Sequence, residues 1–304
     1  MKSKYTFVLV MLVTLLILSV GLTSLYTMNT TSEEKEADLT IVTSFYPIYI
    51  AALNLVDGVD DVACYNLSEP QTGCLHDYQL TPADMKLISQ GDVFLVNGGG
   101  IESFLTEVAE EYPDLQIIEA CQDLDLLSEE DEENAHAWMS VSCYRTMVAT
   151  MARELAEADP DHAALYLENA ETYDEKLEVL AEEQEAIREV TDGMKIISFH
   201  EAYAYVAYDY GMEIVCSLDF DEERPTSAGE VAEVLRAVQT EGATLILAEE
   251  LYGSDMAETV LSEDDVDDLL VLYLDPLNKG NYDKDSYLLA MQANIDLLEK
   301  ALVE

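Results

Sequence analysis

The chain has 304 residues, 49% of them hydrophobic, enough to bury the cores of two ordinary domains and too apolar for a disordered chain. Its 63 acidic residues outweigh 14 basic ones, for a formal net charge of −49. That balance excludes nucleic-acid binding and docking on anionic lipid through a polybasic patch. It also raises the local concentration of cations, although solubility or a saline habitat accounts for most of it.

In chain order, Lys2 and Lys4 precede an uncharged apolar run from Tyr5 to about Tyr26. This reads as an export signal or an uncleaved membrane anchor, followed by a polar tether ending near Asp38. Segment 1–37 is therefore set apart from the folded body, which is expected outside the cytoplasm at a cell surface or in a periplasm. No Cys precedes Cys64, so a lipid-modified N-terminal Cys is excluded. Five cysteines, Cys64, Cys74, Cys121, Cys143 and Cys216, are too few for a disulfide scaffold. An oxidising compartment would permit a Cys64–Cys74 bridge, which the sequence leaves open.

Short apolar runs then alternate with helical patterns. Strands are predicted at Leu39–Ser44, Val62–Leu67, Val93–Asn97 and Leu115–Glu119, and again at Lys195–Phe199, Glu213–Ser217, Thr244–Ala248 and Leu269–Leu274. Each is apolar on both faces, as in parallel sheets covered by helices on both sides. The predicted fold is α/β: two lobes, each a four-stranded parallel sheet flanked by helices, joined by one long spanning helix. The first lobe takes 38–158, the helix 159–192 and the second lobe 193–304. Along the helix, Tyr166, Ala170, Tyr173, Leu177, Leu180 and Ile187 form one apolar stripe, and Pro160 is expected in its first turn. About 30 residues make a rod of roughly 45 Å.

The chain has four histidines. His76 follows the second predicted strand, His136 follows the fourth, and His200 ends the first strand of the second lobe. Asp275 ends the last strand. All four lie just past carboxyl ends of parallel strands, the edge at which open α/β sheets bind ligands. Two such edges facing each other would put two ligands from each lobe into one cleft. Three imidazoles and a carboxylate suit tetrahedral Zn²⁺, with Mn²⁺ or another divalent transition metal also compatible. Each bound His needs an outer acceptor for its second N–H, and Asp77 and Glu201 stand next to ligands in sequence. His162, at the start of the rod helix, reads as solvated. The acidic stretch 129–133 reads as a solvated loop. Asn97-Gly-Gly-Gly100 lacks the following Lys-Ser/Thr of a phosphate loop and reads as a close-packing turn.

Six ordered stretches carry a family resemblance between about Leu39 and Leu302: Gly73-Cys-Leu-His-Asp-Tyr-Gln-Leu-Thr-Pro82, Asn97-Gly-Gly-Gly-Ile-Glu-Ser103, Asn134-Ala-His-Ala-Trp138, Ser198-Phe-His-Glu-Ala-Tyr203, Glu249-Glu-Leu-Tyr-Gly-Ser254 and Leu274-Asp-Pro-Leu277. The chain resembles the zinc and manganese receptors of bacterial ABC importers, solute-binding proteins with two lobes joined by one long helix. The resemblance implies a metal held by His76, His136, His200 and Asp275, a membrane permease as partner, and a monomer. His at position 200, where manganese receptors often have Glu, favours zinc. Ala135 stands where the family usually has Pro, and the acidic stretch stands where many zinc receptors have a His-rich loop.

Two other classes would leave different marks. A zinc hydrolase needs an open coordination site and a base, but His200-Glu201 fails the H-E-x-x-H pattern because Ala204 stands at its fifth position. No nucleophile elbow occurs either, so the chain is not expected to be an enzyme. A surface adhesin with a structural zinc would differ in unfolding when stripped of metal.

Overall fold

A computed structural model describes residues 37–68, 75–129, 132–220, 224–263, 266 and 268–303. The apolar N-terminal run and Cys74, and with it the Cys64–Cys74 pairing, lie outside the described residues. Among the described residues no helix is long and apolar enough to cross a membrane. Leu39–Glu304 forms one compact unit.

The first half of that unit runs β1 (Leu39–Thr43), α1 (Tyr46–Leu55), β2 (Val62–Asn66), α2 (Pro82–Ile88), β3 (Val93–Val96), α3 (Leu105–Glu111) and β4 (Gln116–Glu119). Its four strands are all parallel in the order β2-β1-β3-β4. After β5 (Ser128–Glu129), β6 (Glu132–Glu133), α4 (Val141–Ala158) and α5 (Ala163–Thr191), the second half begins. It contains β7 (Lys195–Ser198), α6 (Tyr203–Asp209), β8 (Glu213–Ser217), α7 (Ala228–Arg236), β9 (Leu245–Ala248), α8 (Glu250–Leu261), β10 (Leu270–Tyr273) and α9 (Ser286–Leu302). Its sheet is also parallel, in the order β10-β9-β7-β8. Counted within each half, the order is the same: second strand, first, third, fourth. Each predicted strand is present. The residues just beyond the ladders still donate to a neighbouring strand, as Phe199 does to Leu247 (2.9 Å) and Leu274 to Ala248 (3.0 Å), and there the chain turns into the carboxyl-edge loops.

Alternation divides the sheet residues between two faces. Ile41 and Leu95 face a large shared core, while Val42, Phe94 and Val96 pack with Phe104 and Val108 on the outer side. In the second half, Leu245 and Leu247 face the shared core, and Ile197 and Ile246 pack outward with Val234 and Met256. The shared core is continuous through both halves. Helix α5, 29 residues and about 44 Å long, buries the predicted stripe in it, with Gln184 and Thr191 on the same line. The helix contacts α1 of the first half and α6 and α9 of the second. Tyr144 stacks on Tyr287 at 3.7 Å, donates to the Pro47 carbonyl (2.8 Å), and Tyr287 donates to the Trp138 carbonyl (2.7 Å).

Two expectations are corrected at the start of α5. Pro160 lies in the turn after α4, and the helix begins at Ala163 with His162 as its cap residue. The reason is a local cluster: Asp159 accepts from His162 Nδ1 (2.7 Å) and from the Tyr166 hydroxyl (2.8 Å), which holds the turn open for three residues. His162 is therefore half-buried and paired rather than solvated. Burial opposes ionisation of Asp159, but the His162 ring and the Tyr166 hydroxyl outweigh it and hold the carboxyl below its ordinary value.

Candidate metal centre

The carboxyl edges of both sheets supply the site. His76 lies in a single 3₁₀ turn, Leu75–Asp77, and is exposed. His136 caps a second short turn, Ala137–Met139, and is buried at 1% exposure. His200 follows β7 by two residues and is 2% exposed. The three rings form a chain, with centroids 5.4 Å apart from His76 to His136 and 5.4 Å from His136 to His200.

His136 is the centre of that chain. Its Nδ1 lies 2.9 Å from Asn134 Oδ1, which also accepts the His136 backbone N–H at 3.0 Å. An amide oxygen only accepts, so Nδ1 carries the proton and Nε2 keeps its lone pair. Asn134 is in turn fixed from the second half: its Nδ2 donates to the Glu201 carbonyl (3.0 Å), and its own carbonyl accepts the Tyr205 hydroxyl (2.7 Å). Burial lowers the pKa of His136 well below the usual imidazole value, and the neighbouring His200 and His76 rings add to the effect. The ring is thus held in its neutral form.

His200 is held differently. Its Nδ1 accepts the Ala202 amide at 3.0 Å, which leaves the neutral ring's proton on Nε2. Short of an imidazolate, a metal at either nitrogen requires that contact to give way. This agrees with a second observation: among the described residues, no three His, Cys, Asp or Glu side chains already stand in metal-holding geometry. The three rings are gathered in a row.

Asp275 joins the rings through its neighbours. Tyr203, whose ring lies 5.7 Å from that of His200, donates its hydroxyl to the Leu274 carbonyl (2.7 Å). Trp138, 4.9 Å from the His136 ring, donates Nε1 to the Pro276 carbonyl (2.9 Å). The residues on both sides of Asp275 are therefore fixed to the surroundings of two imidazoles. Asn294 clamps the Asp275 backbone, accepting its N–H (2.9 Å) and donating to its carbonyl (2.8 Å). The Asp275 carboxylate accepts the Leu277 amide at 2.8 Å. Leu277 is fully buried with φ +57°, a left-handed conformation that costs a branched side chain energy and is kept only where packing enforces it. Although Asp275 presents surface to solvent, the surrounding protein removes enough water to push its carboxyl above the ordinary value, against the pull of the Leu277 amide and Lys279.

The acceptor beside His136 Nδ1 is Asn134. The spacing Asn134-x-His136 was the available signal, since an Asn side chain commonly bonds two residues onward. The stretch expected as a solvated loop pairs as a short antiparallel ladder, Ser128 with Glu133 and Glu129 with Glu132. A hydrogen bond from Asn134 to the Leu127 carbonyl (2.7 Å) closes its base.

The family described as zinc-uptake complex component A, periplasmic, matches residues 41–301. The chain is 28% identical over 279 residues to the manganese-binding lipoprotein MntA of Halalkalibacterium halodurans, covering 90% of this chain and 91% of that protein. It is 24% identical over 290 residues to the high-affinity zinc uptake system protein ZnuA of Bacillus subtilis, covering 90% of each. Among solved structures, the solute-binding protein FpvC of Pseudomonas aeruginosa in complex with Ni²⁺ superposes with a TM-score of 0.76 at 26% identity, over 87% of this chain and 97% of that one.

Proposed function

Because the chain belongs to the zinc-uptake complex component A family, the metal-binding solute receptors of ABC importers, we propose that its cargo is Zn²⁺, held by His76, His136, His200 and Asp275. It is a receptor and not an enzyme. The observation that carries the zinc reading is the run of three imidazoles at 5.4 Å spacings around a buried, neutral His136. Nitrogen-rich sites rank Zn²⁺ well above Mn²⁺ in intrinsic affinity. The metal named in MntA keeps manganese as the second reading.

Capture proceeds from the rings outward. His136 offers Nε2 with its tautomer set by Asn134. His200 turns away from the Ala202 amide, and Asp275 supplies charge. Segment 1–37 holds the body at the membrane outside the cytoplasm, residues 38–158 and 193–304 act as two lobes on the segment 159–192 that carries helix α5, and a permease takes the metal.

The test is metal content and competitive zinc titration of the full chain in mild detergent, beside His200→Ala. One zinc per chain, bound far more weakly in the variant while the metal-free fold persists, is the expected result. Equal occupancy in both, or preference for Mn²⁺ under competition, would overturn the ligand set or the metal.

A further inference from the structure

The Gly-rich turn after β3 supplies no expected ligand, yet it touches the segments that carry two of them. Glu102, 4% exposed, accepts the backbone amides of Asn97 (2.7 Å) and Gly98 (3.0 Å) and so pins the turn shut. Asn97 is fully buried and donates Nδ2 to the carbonyl of Ala135, the residue before His136, at 2.9 Å. At the other end of the turn, the Ser103 hydroxyl donates to the His76 carbonyl at 3.3 Å. Gly99, at φ +65°, lies so close to the His136 segment that an added Cβ would stand 3.2 Å from Ala135 Cβ and 2.8 Å from Leu126 Cδ1.

We propose that Asn97 and Ser103 are positioning residues for metal capture, clamping the His136 and His76 segments to one Glu102-pinned turn and thereby fixing the separation of the two imidazoles. The need follows from local structure. Each His sits in or beside a three-residue 3₁₀ turn, which has little order of its own. Ligand geometry loosened by about 1 Å is enough to spoil a site. The turn supplies from one rigid piece what the two short segments lack. The inference rests on His76 and His136 being ligands.

The experiment titrates the full chain in mild detergent with Co²⁺, recording the visible ligand-field band, the affinity and the thermal midpoint of the metal-free protein. Asn97→Ala and Ser103→Ala are expected to weaken Co²⁺ binding by roughly 10-fold or more and to change the band shape. Ser103→Thr, which keeps the hydroxyl, is expected to restore both. Ile88→Ala, a core truncation on α2, is expected to lower the midpoint without altering the band. Ser103 is exposed, so its variants fold even if Asn97→Ala does not. An unchanged band and affinity in Ser103→Ala, with binding lost in His136→Ala, would overturn the positioning role alone. Full binding in His136→Ala would remove the ligand assignment and this inference together. A band altered equally by Ile88→Ala would reduce the effect to general loss of fold.

Discussion

At the scale of single residues, the site depends on groups whose chemistry is set by what surrounds them. Asn134 fixes the His136 tautomer, so Asn134→Ala should cost about 10- to 100-fold in zinc affinity, read by competition with a chelator. An unchanged affinity would mean that the ring needs no outer acceptor. Glu102 gives a prediction in pH. Burial pushes its carboxyl from 4.5 up to about 7, against the pull of the Asn97 and Gly98 amides. A folded value above the unfolded one means that the folded chain keeps the proton longer. The stability is then full below about 4.5 and falls as pH rises through about 7, by about 3 kcal/mol. Denaturant midpoints of the metal-free protein should show this fall, and Glu102→Gln should flatten it. At Leu277 two effects compete. Glycine would relieve about 1–3 kcal/mol of left-handed strain, while truncating a fully buried Leu costs about 2–5 kcal/mol. Leu277→Gly should therefore lower the thermal midpoint, and a rise would show that the strain outweighs the packing.

At the scale of elements, the strands and the rod helix were legible because their patterns are regular. A four-residue run such as Val93–Val96, apolar on both faces, has no stable place except inside a covered sheet. The α5 stripe recurs over about seven turns, from Tyr166 to Thr191, so no local accident hides it. Leu177→Ala, at its buried centre, should cost about 2–5 kcal/mol, whereas Val179→Ala on the exposed face should change stability by less than about 0.5 kcal/mol. Equal effects would show that the rod does not pack by this face. What the sequence did not reveal was decided by side-chain bonds between residues distant in sequence. Asn97 to Ala135 spans 38 residues, and Trp138 to Pro276 spans 138. No periodicity encodes such pairs. The start of α5 differs from its sequence expectation for a related reason: Pro160 suits a first helical turn by itself, but Asp159 gathers His162 and Tyr166 and delays the helix. The four expected ligands could be placed at strand ends because the sheet edge collects such residues. The pins that hold those positions could not.

At the scale of the whole molecule, charge and core act in opposite directions. A net charge of −49 makes the folded chain repel itself. Raising ionic strength from about 0.01 to 0.15 M shortens the screening length from about 30 to 8 Å, so the thermal midpoint of the metal-free protein should rise with added KCl. A flat response would mean that the surface charges are already neutralised by bound counterions. The apolar cluster runs through both halves without a break, which predicts one cooperative calorimetric transition rather than two. That same continuity sets an order of events during synthesis. Helix α9, the last described element, packs on α1, one of the first. Asn54 in α1 donates to the carbonyl of Lys284, just ahead of α9, at 2.8 Å. The first half therefore completes its apolar cover only once α9 has docked on α1. Until then the apolar face of α1 lacks that cover, and the chain's excess of carboxylates opposes its meeting another such face.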